Sequence, residues 1–117
     1  MAKQNYMFLF RGQTDEGLSP EQFQENMQKW FAWVEKLQNK GVYKGGEALV
    51  PGGKVLSQKT GKYQVDGPYA ETKEQVGGYF LVEANSLDEA IEMAKDYPDF
   101  DRQGRVEIRE VVIFPEQ

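Results

Sequence analysis

The side chains best suited to chemistry are concentrated in one segment, DGPYAETKE, at residues 66–74. It contains three carboxylates, one lysine, a threonine hydroxyl and a tyrosine phenol. A carboxylate beside an ammonium can transfer protons, bind a polar ligand or simply neutralise its neighbour. If the segment is extended, Glu71 and Lys73 lie on one side and Thr72 and Glu74 on the other. This segment is therefore the candidate site.

Two roles are open for the segment. In the first, it forms the wall of a ligand cleft, because binding groups are commonly polar loop residues held on a rigid scaffold. The ligand-binding residues would then be Arg11, Tyr69, Glu71, Thr72 and Lys73. In the second, it is a structural connector whose charges pair with each other and with Arg11 or Arg109. Asp66, followed by Gly67 and Pro68, fits a turn-forming residue.

A catalytic role would depend on Asp66, Glu71 and Lys73. Asp66 or Glu71 would act as a base with its pKa raised by burial, and Lys73 or Arg11 would stabilise developing negative charge. The chain contains no histidine and no cysteine, which removes the commonest general base, the thiolate nucleophile and the usual zinc ligands. We therefore expect no metal site and no cofactor. A non-catalytic small-molecule-binding or regulatory module is favoured over a cofactor-independent enzyme.

Three other patterns carry less information. The paired glycines of GGEALVPGGK match no phosphate-binding motif and no helix is expected after them. The acidic stretch DYPDFD (96–101) lacks the glycine and closing glutamate of a calcium loop, so we interpret it as a solvated turn. Trp30 falls within an apolar helical stripe and is expected in the core. Trp33, at the edge of that stripe, could line a pocket or a dimer contact.

Length and charge limit the function further. A chain of 117 residues is expected to form a single domain, 1–117. Its net charge of −5, with basic residues scattered among acids, argues against nucleic-acid binding. We find no apolar run long enough for a membrane span and no signal peptide, so a cytoplasmic protein is expected. The acidic surface leaves open a third function, as a protein partner linked to transcription regulation.

Hydrophobic periodicity predicts six strands and two helices. Strands are expected at 5–12, 42–49, 54–58, 62–66, 77–84 and 105–115. The first helix is expected to begin with Ser19 as N-cap, Pro20 at the first helical position and Gln22 as capping-box partner, and to end at Gly41. Its apolar stripe is formed by Phe23, Met27, Trp30, Val34 and Leu37. Phe31 and Trp33 lie at the two margins of this stripe and are expected to widen its contact. The second helix is expected at 86–98, with an apolar face of Leu87, Ala90, Ile91 and Ala94.

The two halves of the chain each read strand, helix, strand. This order predicts an α+β, ferredoxin-like fold, in which a split β-α-β antiparallel sheet carries both helices on one face. Three expected strands are apolar on both faces: 6–10, 79–82 and 111–114. Because two helices cover only one face, we expect the other to be buried against a second copy, giving a homodimer through the sheet face.

The chain also resembles a known family. DGPYAETKEQVGGYFLVEA is similar to the signature of the DGPF (DGPFAETKE) subgroup of the YCII-related proteins, with Tyr69 in place of phenylalanine. Further likeness lies in YMFLFRG, GVYKGGEAL, SLDEAIEMA and VEIREV. The resemblance implies a dimeric α+β barrel of ferredoxin-like units. It also implies a largely unassigned role, with some members discussed alongside extracytoplasmic-function sigma factors.

The better-known branch of the family carries a His/Asp pair to which enzymatic activity is attributed. Its histidine lies on the first helix and its aspartate directly precedes the proline that closes the second. In this sequence Trp30 stands at the histidine position, and Tyr97 precedes Pro98 with Asp96 one position earlier. An indole cannot exchange a proton at neutral pH as an imidazole does. The pair is therefore not carried over, which weakens the enzymatic alternative.

Overall fold

Four strands form the main sheet of this protein, here described from a computed structural model that covers residues 3–12, 17–67 and 75–115. The elements follow the order β1 (Gln4–Arg11), α1 (Pro20–Asn39), β2 (Tyr43–Ala48), β3 (Val55–Lys59), β4 (Lys62–Asp66), β5 (Val76–Ala84), α2 (Leu87–Ala94) and β6 (Arg105–Glu110). The sheet order is β2-β5-β1-β6, with every neighbouring pair antiparallel. This is the ferredoxin-like split β-α-β arrangement, as the element order predicts.

Alternation along the central strands defines the two faces of the sheet. In β1 the side chains of Tyr6, Phe8 and Phe10 are buried, whereas the intervening residues are only half-buried. The same alternation in β5 buries Phe80 and Val82. The buried side chains point to one face, where they form the core together with the helices. The opposite face, which we call the open face, faces away from both helices.

Helix α1 begins as its sequence predicts, and the side that packs on the core overlaps the expected stripe but is shifted toward Trp33. Ser19 and Gln22 form a reciprocal capping box, and Pro20 occupies the first turn. The buried residues are Trp33 and Leu37, with Trp30 and Val34 partly buried. The expected stripe is therefore wrong at its N-terminal end, where Phe23 is exposed. Of the two margins, only that of Trp33 contacts the core, and Phe31 is exposed.

Helix α2 is shorter than expected and also rotated. It ends at Ala94 rather than near Pro98, and its buried residues are Ala90, Met93 and Ala94. Leu87 and Ile91, expected in the core, are exposed. Small alanine side chains let the helix axis approach the sheet closely, which leaves the larger side chains of the neighbouring face outside. Tyr97, just beyond the helix, is itself part of the core.

Gly78 and Gly46 permit a close approach between strands β5 and β2. A Cβ atom on Gly78 would lie 2.8 Å from the backbone oxygen of Glu47 in the neighbouring strand β2. On the same strand pair, a Cβ on Gly46 would lie 2.5 Å from the backbone oxygen of Tyr79. Both positions therefore exclude any larger side chain without a shift of the backbone.

The expected strands at 54–58 and 62–66 exist but do not join the main sheet. Strands β3 and β4 pair with each other as a separate two-stranded sheet, from Val55 opposite Asp66 to Lys59 opposite Lys62. All ten of their residues are exposed. We call this hairpin, residues 55–66, the arm.

The last strand ends earlier than predicted. Strand β6 stops at Glu110, and one further backbone bond joins the Val111 amide to the Asn5 carbonyl. Pairing ends there because the partner strand β1 itself begins at Gln4. Val112, Ile113 and Phe114 therefore lie outside the sheet and are exposed. They do not form a strand with two apolar faces, so they lend no support to a buried open face.

Candidate functional site

The sequence-predicted site is only partly visible. Tyr69, Glu71, Thr72 and Lys73 lie outside the described residues, since the structure describes nothing between 68 and 74. Arg11 and Asp66 are both described. Arg11 lies at the end of β1, opposite Val76 at the start of β5. Asp66 is the last residue of β4 and is exposed.

Arg11 forms an ion pair that the sequence analysis missed. Its Nε donates to the Glu107 carboxylate of β6 at 3.0 Å, and both side chains are partly exposed. Arg109 approaches the same carboxylate at 4.0 Å. Strand register explains the pairing, because Leu9 lies opposite Glu107 and Arg11 lies two residues further along the same face. Glu107 could have been predicted only from that register.

The open face combines an apolar centre with this charged edge. Met7 lies opposite Leu81, and Leu9 lies opposite Tyr79, and all four are half-buried in the isolated chain. The Arg11–Glu107 pair lies at one end of this apolar centre. At the other, on the neighbouring strands, Lys44 pairs with Glu83 at 3.4 Å. The open face can thus contact an apolar group and an acidic group of one ligand.

A second polar cluster lies on the helical side, in the turn after α2. Asp99 is 1% exposed, and of the residues that the structure describes it is the only buried charged one. Its carboxylate accepts from the guanidinium of Arg102 at 2.8 Å and from the indole Nε1 of Trp30 at 3.2 Å. The interpretation of residues 96–101 as a solvated turn is therefore wrong for Asp99. A buried carboxylate is stable there because a cation and a donor both contact it.

Tyr97 shares this environment. Burial raises the pKa of its phenol, the Asp99 carboxylate raises it further, and the Arg102 guanidinium partly lowers it. The backbone is close as well, because a Cβ on Gly104 would overlap the Tyr97 hydroxyl and lie 2.8 Å from the Asp99 carbonyl oxygen. Tyr97 therefore keeps its phenolic proton to a higher pH than an exposed tyrosine does, which does not suit it to proton transfer near pH 7.

Both tryptophans belong to the aromatic core rather than to an aromatic box. Trp33 is buried and its Nε1 donates to the Met93 carbonyl at 3.1 Å, which ties α1 to α2. Trp30 packs edge-on to Phe10 with ring centroids 4.9 Å apart. Phe10 in turn stacks on Tyr97 at 5.4 Å. Trp30, predicted in the core, packs against it while partly buried, and Trp33, for which a pocket or a dimer contact was open, is buried in the core.

A cleft of about 240 Å³ lies beside the Asp99 cluster, between the N-terminal half of α1 and the turn after α2. Its lining residues are polar with two exceptions, and they are Leu18, Gln22, Glu25, Asn26, Lys29, Pro98, Asp101 and Arg102. The acids and bases of this set offset one another, so the cleft has no strong preference for one sign of charge. Among the described residues there is no cluster of three metal-binding side chains.

No helix of the described chain is both long and apolar enough to span a membrane.

Comparison with a protein-family model covers nearly the whole chain. The family model described as the YCII-related domain matches residues 5–115. An uncharacterized protein, R00369, of Rhizobium meliloti (strain 1021) is 41% identical over 51 residues, which are 43% of this chain. The aligned part is 41% of the relative's length, so the present chain spans less than half of that protein in this alignment.

Among solved structures, the fold is similar to that of 5-chloro-2-hydroxyhydroquinone dehydrochlorinase (TftG) from Burkholderia phenoliruptrix AC1100, in complex with 2,5-dihydroxybenzoquinone. The match covers 90% of each chain with 19% sequence identity and a TM-score of 0.48. A likeness of this degree says nothing about the ligand or the reaction of the present chain.

Proposed function

Because this chain belongs to the YCII-related family, we propose that it is a homodimeric domain that binds a small molecule with an acidic group at its open face. Within the family we assign it to the DGPF subgroup, on the basis of the segment DGPYAETKE at 66–74. The observation that carries the proposal is the combination on one face of an apolar centre and the Arg11–Glu107 pair.

Arg11 is the residue that determines which chemical class of ligand this face would bind. Its side chain is 31% exposed on the open face even while Nε is bonded to Glu107. Guanidinium groups bind carboxylates and phosphates through parallel hydrogen bonds, and Glu107 fixes the orientation of the fork. Lys73, at the end of the segment that precedes β5, is proposed as a second cation. An anionic head with an apolar body therefore matches this face.

The second copy supplies the other wall of the site. Met7, Leu9, Tyr79 and Leu81 are half-buried in one chain, and the same face of a partner would complete their burial. A two-fold axis places identical faces together, so each ligand would lie between two sheets. The pocket exists, on this proposal, only in the dimer.

The hydrogen-bond partners and the burial of the described carboxylates favour binding over catalysis. Asp99, the buried one among the described residues, is already bonded to Arg102 and Trp30. Asp66 is exposed in the isolated chain, so the burial that a catalytic base needs would have to come from outside it. Trp30 does supply an N–H to a carboxylate at the helix position of the family's histidine. An indole, however, donates only and cannot serve as the acid or base.

A ligand screen by thermal shift tests the binding function. Small carboxylic and phosphoric acids with apolar bodies should raise the melting temperature of the wild-type protein, since a ligand stabilises the state that binds it. Arg11→Ala should lose that shift, whereas Lys95→Ala, which removes an exposed cation on the helical side, should keep it. An equal shift in both variants would place the ligand elsewhere.

Sedimentation velocity tests the dimer. The Leu9→Glu variant should sediment as a monomer, because it places a charge in the apolar centre of the open face.

A further inference from the structure

Strand register places two arginines directly opposite each other on the open face. The side chain of Arg11 points to this face, because its neighbour Phe10 in β1 is buried in the core and successive residues of a strand alternate. Arg105, the first residue of β6, is the pairing partner of Arg11. The Cβ atoms of such partners lie about 4.5–5.5 Å apart. The two guanidinium groups therefore start from neighbouring positions on one surface.

The remaining residues of β6 show how charge is distributed along this edge. The core-facing residues of the strand are Val106 and Ile108. The residues that alternate with them, Arg105, Glu107 and Arg109, therefore lie on the open face. On strands β1 and β6, all of whose residues are described, the open face thus carries three guanidinium groups and one carboxylate. This edge is basic, although the whole chain has a net charge of −5.

The single carboxylate of this edge is shared between two arginines. Glu107 accepts from Nε of Arg11 at 3.0 Å, and Nε of Arg109 lies 4.0 Å from its other oxygen. A guanidinium has five N–H donors, so an arginine that is already in an ion pair can still bind an anion. Like charges directly opposite each other in a sheet are destabilising, and an anion between them reverses the sign of that contribution. The Arg11–Arg105 register therefore favours an anionic ligand with more than one charge.

Access and an apolar surface complete the arrangement. Arg105 is exposed and Arg11 is partly exposed. Leu9, the next open-face residue of β1 beside Arg11, lies opposite Tyr79 in β5, and both are half-buried. An anionic group on the arginines can thus extend into an apolar body over Leu9 and Tyr79.

We propose that Arg11 and Arg105 together bind a phosphomonoester, and that Arg105 makes the site prefer a doubly charged phosphate over a singly charged acid. The assignment rests on the open-face ligand site proposed above and names its ligand class. Two guanidinium groups can bind different oxygens of one phosphate, whereas a carboxylate offers only two oxygens and one charge. A phosphomonoester carries nearly two negative charges above neutral pH, since its second pKa is about 6.

Two probes with the same ring separate charge from shape. Phenyl phosphate and phenyl sulfate both end in a tetrahedral anion, but only the phosphate gains a second charge above about pH 6. At pH 8, calorimetry on the full-length protein should give phenyl phosphate a dissociation constant on the order of tenfold lower than that of phenyl sulfate. At pH 5, where each probe has mainly one charge, the two constants should agree within about threefold. Phenyl sulfate controls for any titration of the protein itself.

Matched substitutions locate the preference. Arg105→Gln should reduce the preference for phenyl phosphate at pH 8 to within about threefold, and should leave the affinity for phenyl sulfate within about threefold of wild type. Arg109→Gln removes the same charge from the same face about 13 Å along the strand, so the preference should persist in about 0.15 M salt. Arg11→Gln should weaken both probes on the order of tenfold. Circular dichroism checks that each variant is folded.

The outcomes separate failure of this assignment from failure of the ligand site. If neither probe binds the wild-type protein, or if Arg11→Gln binds both as tightly as wild type, the open-face site is wrong and the phosphate assignment fails with it. If both probes bind through Arg11 with equal affinity, or if Arg105→Gln keeps the preference, the phosphate assignment alone is overturned. An equal loss of preference in Arg109→Gln would also overturn the role of Arg105. Loss in Arg105→Gln but not in Arg109→Gln supports it.

Discussion

The indole nitrogen of Trp30 lies 3.2 Å from a carboxylate oxygen of Asp99, across 69 positions of sequence. The same carboxylate holds Arg102 at 2.8 Å. The first bond joins the middle of α1 to the turn between α2 and β6, and the second lies within that turn. The Trp30 indole nitrogen can only donate, so it cannot exchange a proton with the Asp99 carboxylate as an imidazole would. The pair in this chain therefore contributes to structure.

Removing the Asp99 carboxylate should destabilise the fold strongly. In Asp99→Ala the Trp30 N–H and the Arg102 guanidinium lose their acceptor while remaining largely buried. We expect a loss of about 2–3 kcal/mol in the free energy of unfolding, below the full cost of a broken buried pair because Arg102 can reach solvent. Urea unfolding measures it. Asp101 is exposed and lies two residues further along the same turn, so Asp101→Ala should change the free energy of unfolding by less than about 0.5 kcal/mol. Equal losses in the two variants would contradict the structural role of Asp99.

Stability should fall at high pH through Tyr97. Its pKa is raised in the folded protein, so above about pH 10 the unfolded chain loses the phenolic proton while the folded chain keeps it. The unfolded state then binds fewer protons, and the free energy of unfolding decreases with rising pH by up to about 1.4 kcal/mol per pH unit.

The Tyr97→Phe variant isolates this contribution. Its unfolding free energy should decline less steeply than that of the wild type between about pH 10 and 11.5, whatever its stability at neutral pH. Urea titrations at a series of pH values give both slopes. Parallel curves would mean that Tyr97 ionises equally in the two states.

The rotation of α1 can be tested by two aromatic substitutions on the same helix. Trp33→Ala removes a buried ring and its bond to the Met93 carbonyl, so we expect a loss of about 3–5 kcal/mol or failure to fold. Phe31→Ala, on an exposed side chain, should cost less than about 1 kcal/mol. Thermal unfolding of the two variants compares them directly. A larger effect at Phe31 would mean that this side of the helix is covered in the native assembly.

Several local features followed from neighbouring residues alone. Ser19, Pro20 and Gln22 specify the start of α1 because their bonds are made within one turn of chain. The strand at 76–84 was expected at 77–84 from its run of apolar residues at 79–82 and from the glycine pair at its start. The strand, helix, strand order in each half was enough to predict the ferredoxin-like sheet, since short connections and handedness leave few arrangements.

Other features depended on which elements meet. Sequence periodicity located the packed side of each helix only approximately: Leu37, Ala90 and Ala94 are buried as predicted, whereas the predicted Phe23, Leu87 and Ile91 are exposed. Overlapping apolar faces exist on each helix, and packing selects one. The Arg11–Glu107 pair needs the register between β1 and β6, and the burial of Asp99 needs Trp30 from a distant helix. The separation of the arm from the main sheet was likewise invisible, since its strands alternate as core strands do.

The sequence by itself determined the elements, their order and the absence of imidazole and thiol chemistry, because these depend on residue types and on neighbours a few positions apart. Only the tertiary structure decided which carboxylate is buried, which arginine is oriented on the open face and which apolar side chains remain uncovered. Those properties arise from contacts between residues far apart in the chain, whose geometry is fixed only when the helices settle on the sheet.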